Sequence, residues 1–306
     1  MTYRFELVNP REPGKNHILP LWTEPAFLRA IAALHGLDVY HLICMKGNEI
    51  AAIMPVFERQ KLGIRHQILP VMAYYQPLSV YHDPGASDAR RLLDELQITN
   101  GIADFLKARY KRIAFNLDPR VTDIRGFSWS GLSAMPLYTF VYSEGDKLDP
   151  IRDEAEKLKK AEKRGYVHDD RFAPNEFLTL LRSLYDRKGH RLGVSFERLE
   201  RFIQDLHAAG LLIQDNILQG DRIVSSDLIY AKPGGMAYAI MRATAPEEMT
   251  WGISSFHTKL MLGSLIPRYQ AVDFCGANIR DVARFKAALG LKLKVFYRIT
   301  GKGGLL

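Results

Sequence analysis

The residues able to do chemistry fall into a few groups. Near the C-terminus, Asp273-Phe274-Cys275-Gly276-Ala277 is followed by Phe285-Lys286 and Gly290. Asp273 is a carboxylate at the end of an apolar run. It can orient or deprotonate an amine, or it can cap the turn that follows it. Lys286 sits mid-helix behind Phe285, a place where an amphipathic helix ordinarily meets water. Further upstream, Lys157, Lys160 and Arg164 are three and four residues apart, so they share one helix face opposite Ile151, Ala155 and Leu158. Such a stripe can hold an anion or can simply be solvated. Arg242 ends an apolar run and is a candidate phosphate contact. Tyr74, Tyr75, Tyr238 and Trp251 can line a pocket, although aromatic residues in strands commonly belong to the core. The 9 His are scattered without ligand spacing and no Cys-x-x-Cys occurs, so no metal is expected. Nothing beside Cys275 suggests an activated thiolate.

The elements that carry these residues belong to a soluble globular chain. Its 306 residues suggest two domains, expected at 1–145 and 146–306. Hydrophobic residues make up 47% and charged residues 25%, enough for a real core in each half. The net charge of +8 favours anionic partners without naming one. Cys44 and Cys275 do not make a disulfide scaffold, and a reducing cytoplasm fits best. The first ten residues contain Arg4, Glu6 and Asn9 and no apolar core of a signal peptide. No apolar stretch is long enough to span a bilayer, while contact with a membrane surface stays open.

In the first half, the pattern predicts a helix from Pro25 to Gly36, strands at 39–45 and 49–58, and a helix at 87–109 that Gly101 breaks or kinks. A strand at 112–117, a loop at 118–133 and a strand at 137–142 follow. The second half opens with Asp149 as N-cap and Pro150 at the first helical position. Helices at 175–188 and 195–209 lead into strands at 211–218, 222–230 and 236–243. A helix at 252–265, a strand at 270–274, a helix at 279–289 and a strand at 291–299 close the chain. The fold class read from this order is α+β, with mixed sheets flanked by helices.

That order, with Asp273-Phe274-Cys275-Gly276 and Phe285-Lys286-Ala287-Ala288-Leu289-Gly290, resembles the FemAB-like family of peptidyltransferases, which carry two GNAT-like acyltransferase domains. The segment Leu158 to Gly165 is similar to the family's basic interdomain helix. Tyr74-Tyr75-Gln76-Pro77-Leu78 resembles an N-domain motif, with Gln76 in place of a glycine. Two departures stand out. No heptad insertion lies between Asn175 and Gly210, and Arg242-Ala243-Thr244-Ala245-Pro246-Glu247 replaces the glycine loop that in ordinary GNAT enzymes holds coenzyme A pyrophosphate at a helix N-terminus.

The resemblance implies acyl transfer to an amine, which needs a neutral amine, a donor for the developing oxyanion and alignment of two substrates. It implies that Lys286 stabilises charge near the transferred acyl group, that Asp273 serves the amine, and that Phe285, Arg242, Lys157, Lys160, Arg164, Tyr75, Tyr238 and Trp251 contact substrate. The diphosphate of a nucleotide-linked cell-wall precursor would meet the basic stripe. No tightly bound cofactor is expected. The first reading is an aminoacyltransferase in peptidoglycan and cell wall biogenesis, with aminoacyl-tRNA as donor. The alternatives are an acyl-CoA-dependent N-acyltransferase acting on a polysaccharide, lipid or small-molecule amine, and a catalytically silent binding module.

Overall fold

The computed structural model describes residues 2–11, 19–189 and 191–304. Its elements run β1 (Tyr3–Val8), α1 (Pro25–His35), β2 (Asp38–Lys46), β3 (Glu49–Lys61), β4 (Ile64–Ile68), β5 (Ser79–Val80), α2 (Asp88–Arg109), β6 (Ile113–Asn116), α3 (Arg125–Trp129) and β7 (Ser133–Ser143). They continue with α4 (Arg152–Glu162), β8 (Val167–Asp169), α5 (Pro174–Lys188), α6 (Phe196–Ala208), β9 (Leu212–Gln219), β10 (Arg222–Ala231) and β11 (Ala237–Thr244). The last are α7 (Ile253–Leu265), β12 (Ala271–Asp273), α8 (Arg280–Ala288) and β13 (Lys292–Gly301).

Two compact units result, Met1–Leu137 with Val295–Leu306, and Tyr138–Lys294. The boundary expected at 145/146 marks the turn after β7, whereas the unit boundary runs through β7 itself. The end of β13 returns to the first unit.

In the first unit β1, β2, β3 and β4 form an antiparallel sheet in that order, with β5 against β3. β6 pairs antiparallel with the C-terminal part of β13. α2 begins on Ser87, whose side chain accepts the Arg90 N–H at 3.3 Å. It runs unbroken through Gly101. A Cβ there would lie 2.2 Å from the ring of Phe5, so the glycine makes room for that ring rather than ending the helix. Ile98, Ile102 and Leu106 of α2 pack with Phe115, Phe127 and Ile299 in the core.

In the second unit the strand order is β7-β12-β11-β10-β9-β8, with β11 and β12 parallel and the other neighbours antiparallel. This is a mixed sheet flanked by helices. Met261, Leu262 and Leu265 of α7 pack on Ile229, Val272 and Leu289. α4 begins at Arg152, two residues later than Pro150 suggests. The Ile151 N–H donates to the Ala288 carbonyl at 2.9 Å, and that bond keeps the preceding backbone extended.

Gly290, which closes the signature after α8, lies against the same segment. Its φ is +79°, and a Cβ would sit 2.8 Å from the backbone N and O of Asp149. Strain and clash add at this position, so Gly290→Ala is expected to lower the unfolding free energy by about 3 kcal/mol, read from urea denaturation. An unchanged midpoint would mean that the 149–151 segment yields freely.

Candidate active site

β12 ends on Asp273 and delivers the chain into a tight turn alongside β7. The turn follows β7 by hydrogen bonds: Phe274 N–H to Phe140 O at 2.9 Å and Ala277 N–H to Tyr138 O at 3.0 Å. The Asn278 side chain grips both backbone groups of Tyr138, at 3.0 and 3.1 Å. Between these points Cys275 and Gly276 take left-handed φ values of 36° and 92°. A cysteine there costs about 1 kcal/mol, so something must hold it.

Two side chains do so. The Asp273 carboxylate, fully buried, accepts the Cys275 N–H at 2.8 Å and the Thr139 hydroxyl. Lys286 reaches up from α8, and its Nζ donates to the carbonyls of Phe274 at 2.6 Å, Gly276 at 2.8 Å and Cys275 at 3.2 Å. An ammonium has three N–H donors and no acceptor, and the turn offers it three carbonyls. Burial pushes the Lys286 pKa down to about 8, which leaves the protonated form in the majority at neutral pH.

Lys286 is thus 7% exposed rather than a solvated helix residue. All of its donors are engaged, and none is left over for an oxyanion in this arrangement. Asp273 sits where a turn cap sits and has no solvent-facing edge. Burial also pushes the Cys275 thiol up, so it is not a thiolate. Phe285 half-buries its ring against the core below the turn. Tyr238 on β11 is the register partner of Asp273 on β12.

The basic stripe is placed differently from this turn. Lys157 pairs with Glu154. Lys160 donates to the Thr250 carbonyl at 3.0 Å and lies 4.4 Å from the Trp251 ring centroid. Arg164 lies 4.5 Å from the same ring and 3.6 Å from the buried Glu248. Each cation of the stripe therefore has a partner within the unit, and the stripe is the seam where α4 crosses the start of α7.

At that seam lies Glu154, which local spacing reads only as an acid at the positive end of α4. Glu154, 5% exposed, presents one carboxylate oxygen to the Ser255 hydroxyl at 2.6 Å, in the first turn of α7. The positive end of a helix favours an anion there. Gly252, the N-cap of α7, has φ +79°, and a Cβ on it would fall 2.4 Å from the Lys157 carbonyl. α4 thus lies close over the α7 N-terminus and sets the Lys157-paired carboxylate of Glu154 against the first turn of that helix.

Arg242 belongs to a buried polar network. Its guanidinium is bidentate to Asp227, with Nε at 2.9 and 3.0 Å from the two oxygens, and it also reaches the Ser254 carbonyl at 2.7 Å and Thr258 at 3.0 Å. Opposite Asp227 in register stands Asp215. Asp215 accepts from His168 at 2.7 Å and His257 at 2.9 Å, and His257 reaches Ser225 at 2.8 Å. Ser225, His257 and Asp215 reproduce the contacts of a hydrolytic triad, but Ser225 and His257 are completely buried, so no substrate carbonyl meets the hydroxyl. The signal for this network was two polar triplets, Gln214-Asp215-Asn216 and Ser225-Ser226-Asp227, interrupting apolar strands.

Tyr75 lies in the other unit. It is wholly buried and edge-to-face with Trp22 at 5.6 Å, Tyr74 at 4.8 Å and Phe296 at 5.3 Å, so it is core and faces no pocket. A cavity of about 680 Å³ in the second unit is lined by Arg171, Asn175, Glu176, Thr179 and Arg222 among others, and by none of the predicted site residues.

No protein-family model matches the chain, and no curated protein matches it. Solved structures do. FemX superposes with a TM-score of 0.64 at 14% identity, over 90% of this chain and 90% of that one. A tandem GNAT protein from the clavulanic acid biosynthesis pathway gives 0.56 at 10% identity over 100% of both chains. The C-terminal DUF2156 domain of an Agrobacterium fabrum protein, described as a lysylphosphatidylglycerol synthetase, gives 0.56 at 12% identity over 91% of this chain and 90% of that one. What is shared at these identities is the fold. The chain has a tandem GNAT fold.

Proposed function

We propose that this protein transfers an activated aminoacyl group from aminoacyl-tRNA to an amine of a cell-envelope precursor. The carrying observation is Glu154 at the α7 N-terminus, hydrogen-bonded to Ser255. In GNAT enzymes that use coenzyme A, the pyrophosphate takes the corresponding helix end. The Ser255 hydroxyl and the Lys157 ammonium beside that helix end are already taken by Glu154, which argues against a coenzyme A donor in this unit. One neighbour's name, lysylphosphatidylglycerol synthetase, also speaks for an aminoacyl group.

In the reaction the acceptor nitrogen bonds to the acyl carbon, the ester C–O bond breaks, and the proton lost by the amine goes to the departing ribose oxygen, which leaves as a hydroxyl. No covalent intermediate on the protein is needed. Lys286 acts here as a positioning residue, through the turn it holds, because its three N–H groups are already committed.

Label transfer from charged tRNA to a UDP-linked muropeptide tests the reading, together with thermal shifts. Acetyl-CoA should not stabilise the protein, whereas a bound ligand would do so by RT ln(1 + [L]/Kd). Glu154→Ala should let pyrophosphate raise the melting temperature where the parent protein does not respond. Saturable stabilisation of the parent by acetyl-CoA, with no label transferred from tRNA, would overturn the proposal.

A further inference from the structure

The β3–β4 hairpin ends in a two-residue turn, Leu62-Gly63, closed by the Lys61–Ile64 pair. Both turn residues have positive φ, 50° and 76°, the pattern that ordinarily selects Asn-Gly. A leucine is strained there, and Leu62 is 91% exposed, so it gains nothing from burial in return. Every residue from Arg59 to Arg65 is exposed, Ile64 included. An apolar side chain has been placed at this apex in spite of the fold, not because of it.

Around the apex the exposed charge is of one sign. Arg59, Lys61 and Arg65 lie on the hairpin itself. Lys111 and Arg112 lie on the segment bonded to it, through Lys111 N–H to Arg65 O at 2.9 Å and Gln67 N–H to Arg112 O at 3.0 Å. The hairpin's own acid, Glu58, is buried and matched by Arg109 at 3.0 Å and Arg65 at 3.4 Å. Asp38, its register partner on β2, is at the root of the hairpin, not the tip. Among the described residues no carboxylate pairs with Arg59, Lys61, Lys111 or Arg112.

We propose that this hairpin tip docks the protein on an anionic bilayer, with Leu62 and Ile64 entering the interface and the cations meeting lipid phosphates. No described helix is long and apolar enough to cross a membrane, so the contact is peripheral. An apolar tip within a basic collar is the pattern that binds by combining buried apolar area with attraction to anionic lipid. A nucleic acid would be met by cations and stacking aromatic rings, and the tip offers aliphatic side chains instead. The inference does not depend on the donor proposed above.

Co-sedimentation of the full chain with vesicles tests it. The parent protein should bind vesicles of equal parts phosphatidylcholine and phosphatidylglycerol, more weakly in high salt, and should not bind pure phosphatidylcholine. Leu62→Asn should weaken binding about tenfold or more, since the loss is that of one buried leucine. It should leave the melting temperature unchanged or higher, because asparagine suits the left-handed position. Arg59→Gln with Lys61→Gln should weaken binding about 25-fold, at about fivefold for each cation. Absence of vesicle binding by the parent, or a Leu62→Asn protein that binds like the parent, would overturn the proposal. So would a patch whose cations matter for tRNA binding while vesicles are ignored.

Discussion

Lys286→Met should cost the protein about 3 kcal/mol of unfolding free energy, a fall in melting temperature of about 10 °C, and at the same time about 100-fold in turnover through misplacement of the turn. The reasoning starts from the turn. Cys275 and Gly276 hold left-handed backbone angles, and the carbonyls of residues 274–276 converge on one ammonium. Methionine fills the same tunnel with no donor, so three inward carbonyls lose a charged partner. Losing a hydrogen bond to a charged group costs about 1.5–3 kcal/mol, and the three act as a unit, so their costs do not simply add. The turn would then relax along β7, moving whatever it presents to substrate. Denaturation and turnover should therefore fall together. A variant that loses turnover while its denaturation midpoint stays put would show that Lys286 touches the reacting atoms, and the clamp would be wrong.

This result bears on what the sequence could reveal. The signature Asp273 to Gly290 was legible because its members are local to one strand, turn and helix. Their spacing is explained by hydrogen bonds across ten to twelve residues and by the close approach of Gly290 to Asp149. The sequence could not show the direction in which Lys286 points. At an intermediate helix position a lysine can face water or the turn, and only the three carbonyls decide it.

Glu154 was harder. Locally it reads as an acid that complements the start of α4, whereas its buried partner Ser255 is 101 residues away. The edge strands were missed for a related reason. β1 alternates Tyr3, Phe5 and Leu7 with Arg4 and Glu6, a half-buried pattern that is short and lies beside the chain end. β4 has Gln67 as its one buried residue and Arg65 and His66 beside it, so hydrophobicity does not announce it. The α2 helix shows the opposite error, in which a glycine that makes room for a ring looks like a break.

The polar core makes the second large prediction, and it depends on pH. Asp215→Ala should lower stability by about 4 kcal/mol, since it strands His257 and deprives His168 of its acceptor. Burial alone would raise the Asp215 pKa. The hydrogen bonds from His168 and His257 outweigh it and bring the value down to about 2, from an ordinary 3.8. A depressed carboxylate contributes stability above its unfolded value and loses it as pH falls toward the folded one. His168 is shifted the other way, raised chiefly by its hydrogen bond to Asp215, so its contribution is complete below the ordinary 6.5 and fades as pH climbs through the raised value. The two signs bracket a window. The stability gap between the parent and Asp215→Ala should be widest between pH 3.8 and 6.5, and should narrow on both the acid and the alkaline side. Urea titrations at about pH 3, 5 and 9 would trace it, and Asp215→Asn, which keeps an acceptor without the charge, should fall between the two proteins. A gap that is flat with pH would mean that the bridge stabilises by shape rather than by charge. Asp215 would then be one more packed residue on β9, not the ion that favours the charged form of His168.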